Sequence, residues 1–231
     1  MAMQIHTLQD GADSFKVSVQ PGAKSASTVL FAAGAGGQPE RYATLLSALA
    51  NTGCTVIAPH FERLTTPEPS ETELSMRGRR LSLALDTLAP LGTSAMGVGH
   101  SIGAATLVTL AGAQMWLRSG QPVNMVRNSR LTRLALLATP TGFFQAPGAI
   151  ESFNIPILAW VGSQDHVTPP AQTEWLADAM KARQTVDLRV TEGAGHFSFM
   201  DLLPPQAMEP LPDKQAFLRE FSSEVCNFLL Q

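Results

Sequence analysis

The chain has 231 residues, 45% of them hydrophobic and 15% charged, with a formal net charge of -3, a balance that suits one ordinary α/β unit with a sizeable buried core. It has no basic excess to hold a nucleic acid, and no apolar run approaches the ~18 residues of a membrane-spanning helix, so neither nucleic acid nor membrane is expected as a partner. Residues 1–6 lack a basic stretch followed by an apolar core, so no secretory signal is expected; Cys54 and Cys226 read as buried free thiols, and a cytoplasmic setting follows.

In chain order, short apolar or alternating runs predict strands at residues 14–19, 28–31, 55–58, 94–98, 134–137, 156–161 and 186–190. Helical patterns fall at residues 40–50, 71–88, 102–117, 171–182 and 213–230. Strand and helix alternate, with no internal repeat or low-complexity tract. The expectation is a single domain over residues 1–231, built on a doubly wound, mostly parallel sheet with helices on both faces. Thr168 followed by Pro169 reads as an N-cap with proline in the first helical position, which would fix the far end of the loop carrying Asp165.

The most informative stretch is Gly99-His100-Ser101-Ile102-Gly103, between an apolar strand and a long apolar helix pattern. A serine on so sharp a strand-to-helix turn needs glycines two positions to either side, and its hydroxyl is then exposed at the carboxyl end of the sheet above a helix N-terminus. The same residues spell a glycine spacing close to a dinucleotide fingerprint, Gly97, Gly99 and Gly103. That rival needs an acidic residue about 20 positions on, and none occurs between Asp86 and Glu151. A serine nucleophile instead needs an imidazole and a carboxylate. His196 follows the strand pattern at 186–190 through glycines, and Asp165 follows the one at 156–161. The order nucleophile, acid, histidine, each after a strand, is that of the α/β-hydrolases.

From about Thr28 onward the chain resembles the α/β-hydrolase superfamily, and within it the predicted dienelactone hydrolases and small serine esterases. The likeness is carried by Phe31-Ala32-Ala33-Gly34-Ala35-Gly36-Gly37 with Tyr42, by Gly99 to Gly103, by Gly162-Ser163-Gln164-Asp165 with Thr168-Pro169, and by Gly195-His196-Phe197-Ser198-Phe199. Two departures stand out. True dienelactone hydrolases have a cysteine nucleophile where this chain has Ser101, and many relatives carry His-Gly where it has Ala33-Gly34. The resemblance therefore implies acyl transfer to water without naming the substrate. It also implies two backbone amides for the oxyanion, mapped to Ile102 and Ala35, with Gly34 the alternative in the first loop.

No helical lid is expected between the strands near 138 and 156. Phe143 and Phe144 in that loop, and Phe197 after the histidine, are candidates for a substrate pocket, with ordinary packing as the alternative. So short a cover favours a small ester over a long triglyceride, without interfacial activation. No metal or cofactor is expected: His166 beside Asp165 has no third ligand at a helpful spacing. His100 reads as a packed histidine, His60 and Glu62 as structural, and the cluster Arg77, Arg79 and Arg80 as a solvated helix face. The carboxylate-free span from 87 to 150 carries Arg118, Arg127, Arg130 and Arg133, which suggests a taste for anionic acyl groups. The reading is a Ser101–His196–Asp165 hydrolase of a small ester or thioester. A non-catalytic binding protein on the same fold and an acyltransferase using the same residues are the alternatives, and the oligomeric state stays open.

Overall fold

The computed structural model describes residues 3–23, 27–66 and 68–231. Among these residues eight strands form one sheet: β1 (Gln4–Asp10), β2 (Asp13–Gln20), β3 (Thr28–Ala32), β4 (Thr55–Pro59), β5 (Ala95–His100), β6 (Leu131–Leu137), β7 (Ile157–Gly162) and β8 (Val186–Thr191). Their spatial order is β1-β2-β4-β3-β5-β6-β7-β8. The first two join antiparallel, and every pairing from β4 to β8 is parallel. Five helices cover the faces: α1 (Ala43–Asn51), α2 (Glu71–Leu88), α3 (Ile102–Leu110), α4 (Pro170–Met180) and α5 (Lys214–Leu229). One core lies between the sheet and α2, α3 and α4; the other lies between the sheet and α1 and α5.

The central strands are continuous apolar runs because both of their faces are covered; β3 and β7 are buried along their whole length. Helix α3 is buried at all nine residues, which explains its apolar composition on every side. Helix α2 begins at a capping box in which the Ser70 hydroxyl accepts from the Glu73 amide and the Glu73 carboxylate accepts from the Ser70 amide.

The structure departs from the sequence reading at four points. β1 was not anticipated, because an edge strand with largely exposed residues carries little apolar signal. α3 stops at Leu110, seven residues early: Gly112 at φ 125° closes it through Ala113 N–H to Val108 O and Gly112 N–H to Thr109 O, the two bonds of a Schellman motif. The apolar residues beyond it are buried as irregular chain, Met115 among them. The helix expected at 40–50 begins as a 3-10 turn, Pro39–Tyr42. α4 starts with Pro170 and Pro169 is its N-cap, so Thr168 caps no helix and its hydroxyl is free for other work.

Candidate active site

Strands β3, β5, β7 and β8 run parallel, so the loops that follow them gather at one edge of the sheet. Those loops carry Gly34 to Gly37, Ser101, Asp165 and His196. Ser101 sits at φ 54° and ψ -128°, a backbone state that costs on the order of 1–3 kcal/mol and is held only where its surroundings enforce it. They do: the Ser101 amide donates to Leu137 O at 2.8 Å and its carbonyl accepts from Ala105 at 3.2 Å. A Cβ on Gly103 would lie 2.1 Å from Ala32 O, and one on Gly99 would lie 2.6 Å from the Ala104 Cα. Only glycine fits on either side.

The acid and the histidine are brought together by a second close approach. A Cβ on Gly162 would meet Ala194 O at 2.1 Å, and the Gln164 amide donates to that same carbonyl at 2.8 Å. The loops after β7 and β8 are thereby pressed together. His196 Nδ1 then stands 2.8 Å from Asp165 Oδ2, with both residues buried. Asp165 Oδ1 accepts from the Val167 and Thr168 amides at 2.8 and 2.7 Å, and the Thr168 hydroxyl lies 2.8 Å from Oδ2. Burial pushes the Asp165 carboxyl up, but the bonds from His196 and Thr168 outweigh it and hold the group below its ordinary value. An ionised Asp165 accepts a hydrogen bond from Nδ1–H, and in the neutral ring the opposite nitrogen of His196 then keeps its lone pair free.

His100 is buried and remains apart from this pair as a linker. Its Nε2 lies 2.9 Å from the His196 carbonyl and its Nδ1 lies 2.9 Å from the Tyr42 hydroxyl. A carbonyl only accepts, so Nε2 carries the proton, and Tyr42 donates to Nδ1. Burial and the neighbouring His196 push the His100 pKa down to about 3. The Tyr42 hydroxyl in turn accepts from the Gly34 amide at 3.4 Å. One chain of hydrogen bonds thus runs from the loop after β3 to the loop after β8. It occupies the Gly34 amide, whereas the Ala35 amide meets no acceptor among the described residues. Ile102 is the first residue of α3, so its amide has no partner within the helix.

Ser101, His196, Gly34, Ala35 and Phe197 line a single cavity of about 350 Å³, together with Tyr42, Leu64, Val167, Met200, Pro204 and Pro205. Phe143 and Phe144 are not part of its wall. Phe144 is buried in the α2–α3–α4 core and Phe143 packs against that core, so packing decides their place. Phe153 and Phe199 are likewise buried in the two cores. Arg63 and Leu64 from the chain after β4, and Phe197, Met200, Pro204 and Pro205 from the chain after His196, contribute to the cavity's walls, and no helical lid is present among the described residues. Arg118, Arg127, Arg130 and Arg133 are absent from the cavity; the arginines that line it are Arg41 and Arg63. His60 bonds Ser18 at 2.7 Å on the far side of β4.

The arginine cluster on α2 differs from expectation. Arg79 and Arg80 clasp Asp10 at 2.6 and 2.9 Å, tying α2 to β1. Arg77 is 1% exposed and donates to the carbonyls of Gly34, Ala35 and Glu62 at 3.2, 3.3 and 2.9 Å. The signal was there in its spacing: Leu74, Arg77, Leu81 and Leu85 share one helical face, and that face is the buried one. No group of three metal-ligating side chains occurs among the described residues, and no described helix is long and apolar enough to cross a membrane.

No protein-family model matches the chain, and no curated protein matches it. Among solved structures it is similar to a putative α/β hydrolase of unknown function from Agrobacterium tumefaciens, at 15% identity over 98% of this chain and 94% of the other, with a TM-score of 0.66. It is also similar to a dienelactone hydrolase from Anabaena variabilis (15% identity, 99% and 97% covered, TM-score 0.63). An esterase from Thermogutta terrifontis matches at 14% identity over 99% and 91%, with a TM-score of 0.68. The chain has the α/β-hydrolase fold, with no large lid among the described residues.

Proposed function

We propose that the protein is a serine hydrolase that cleaves a small carboxylic ester or thioester through an acyl-enzyme on Ser101. The observation that carries this reading is the convergence of a strained Ser101 with His196 on one cavity, the histidine fixed by Asp165 at 2.8 Å. His196 Nε2 takes the Ser101 proton as Oγ attacks the carbonyl carbon, and Asp165 steadies the resulting imidazolium. The oxygen of the tetrahedral intermediate is held by the amides of Ala35 and Ile102, helped by the positive end of α3. Collapse expels the alcohol or thiol, which leaves with the proton from His196. Water, activated by the same imidazole, then releases the acid.

Ala35 is preferred to Gly34 because the Gly34 amide already serves Tyr42. The size of the cavity suits a short acyl chain, with Phe197 and Met200 as apolar wall. That the structures with this fold include a dienelactone hydrolase and an esterase supports the reaction class. The test is labelling with a fluorophosphonate followed by site mapping, together with turnover of short p-nitrophenyl esters. Modification at Ser101, and a loss on the order of 10⁶ in kcat for Ser101→Ala, are the expected results. Folded protein that neither labels nor turns over an ester would favour a binding role for the fold.

A further inference from the structure

Arg77 lies beneath the loop after β3 rather than in solvent. Its guanidinium faces three backbone carbonyls and the ring of Phe61, 4.8 Å from the centroid. No carboxylate pairs with it among the described residues, and Glu73, one turn earlier on α2, is engaged with Ser70. Burying a cation without a countercharge is costly, and the carbonyls of Gly34, Ala35 and Glu62 offset that cost. Burial pushes the Arg77 pKa down to about 10, so it remains charged at neutral pH.

The first of those carbonyls matters for chemistry. Gly34 C=O and Ala35 N–H belong to one peptide unit. The unit is trans and, as a peptide, close to planar, so its two polar ends point in opposite directions, and a group that fixes the oxygen also aims the N–H. Arg77 Nη1 and the Gly37 amide both donate to the Gly34 oxygen, at 3.2 and 3.0 Å. A positive charge at that oxygen also draws electron density from the amide and makes it a stronger donor. The Arg77 bond to the Ala35 carbonyl, shared with the Leu64 amide at 2.9 Å, restrains the next unit.

We infer that Arg77 is a positioning residue of the hydrolase: from the back of the loop it aims and polarises the Gly34–Ala35 peptide, so that the Ala35 amide meets the oxyanion. The inference rests on the proposed serine hydrolase chemistry. Arg77→Met and Arg77→Lys test it with a p-nitrophenyl butyrate assay and an alkyl trifluoromethyl ketone, whose adduct with serine carries an oxyanion. Arg77→Met should lose on the order of 10²-fold in kcat, with KM little changed and inhibitor affinity reduced in parallel. Arg77→Lys, which keeps the charge and one donor, should recover about tenfold of that loss.

A folded Arg77→Met with kcat within about threefold of the wild type overturns the inference, as does a fall in kcat that leaves inhibitor affinity untouched. If Arg77→Met does not fold, Arg77→Lys carries the test alone: a matched loss of kcat and inhibitor affinity at an unchanged melting temperature supports it, and an unchanged kcat overturns it. Ser101→Ala separates the two levels. Activity retained there removes the hydrolase reading, and this inference with it, whereas an inactive Ser101→Ala beside a fully active Arg77→Met removes only the inference.

Discussion

The loop after β5 and the loop after β3 face the same cavity, yet they are shaped in different ways. The Ser101 elbow is shaped by small residues at close approaches: a Cβ on Gly103 would strike Ala32 O of the neighbouring strand β3, and one on Gly99 would strike the start of α3. The Gly34–Gly37 loop has one such glycine, Gly37, at φ 70° with Phe61 O 2.1 Å from where a Cβ would sit, and the rest of its shape comes from further off. Its carbonyls are held by Arg77, more than forty residues later, and its Gly34 amide by Tyr42, which leans on His100. A tight turn next to a helix is encoded by small residues, whereas an open glycine loop takes its shape from remote donors. The first should fail by collapse of the fold and the second by loss of alignment.

Three changes would break or sharpen that contrast. The largest effect is expected for Gly103→Ala, whose methyl group has only backbone before it, 2.1 Å from Ala32 O. The cost should exceed ~3 kcal/mol, and urea unfolding will read it; a variant of near-wild-type stability would mean that the elbow tolerates a side chain.

The second concerns His100, which joins the two loops only while neutral. Its folded pKa of about 3 lies below the ordinary imidazole value of 6.5, so the unfolded chain binds the proton more readily. The stabilisation is complete above pH 6.5 and is lost as the pH falls toward 3. At pH 4.5 that loss should reach about 2–3 kcal/mol relative to pH 7. Asp165, whose folded pKa is also depressed, contributes in the same direction only below its ordinary value of 3.8. Urea unfolding of wild type and His100→Gln at both pH values is the check; equal pH dependence in the two would refute the linker role.

The smallest effect is expected for Tyr42→Phe. It strips the His100 Nδ1 of its donor and the Gly34 amide of its acceptor, at about 1–2 kcal/mol of stability, and should slow ester turnover roughly tenfold by freeing the first loop. Stability lost with kcat unchanged would show that the loop keeps its shape through Arg77 alone.

How much of this was legible depended on distance along the chain. The buried strands and α2 announce themselves by local patterns, apolar runs and a helical period, and the structure places β3 to β8 where those runs lie. The end of α3 was equally local, written in Gly112, but the apolar residues after it mask the stop. β1 gave too few apolar positions to stand out. Thr168 was misread because Ser or Thr before proline signals a cap, while here the hydroxyl lies against Asp165 and the Ala138 carbonyl. Phe143 and Phe144 show the limit for pockets: an aromatic pair on a loop turns toward a core or a cavity according to what packs beside it.

By itself, the sequence determined the alternating βα order and the attachment of Ser101, Asp165 and His196 to the carboxyl ends of β5, β7 and β8, because hydrophobic period and glycine spacing act over a few residues. Only the tertiary structure decided that Asp165 and His196 touch, that Arg77 is buried under Gly34 and Ala35, and that Phe197, Met200, Pro204 and Pro205 line the cavity. Those outcomes arise where distant segments share one space, and a side chain there is set by neighbours that the adjacent sequence does not contain.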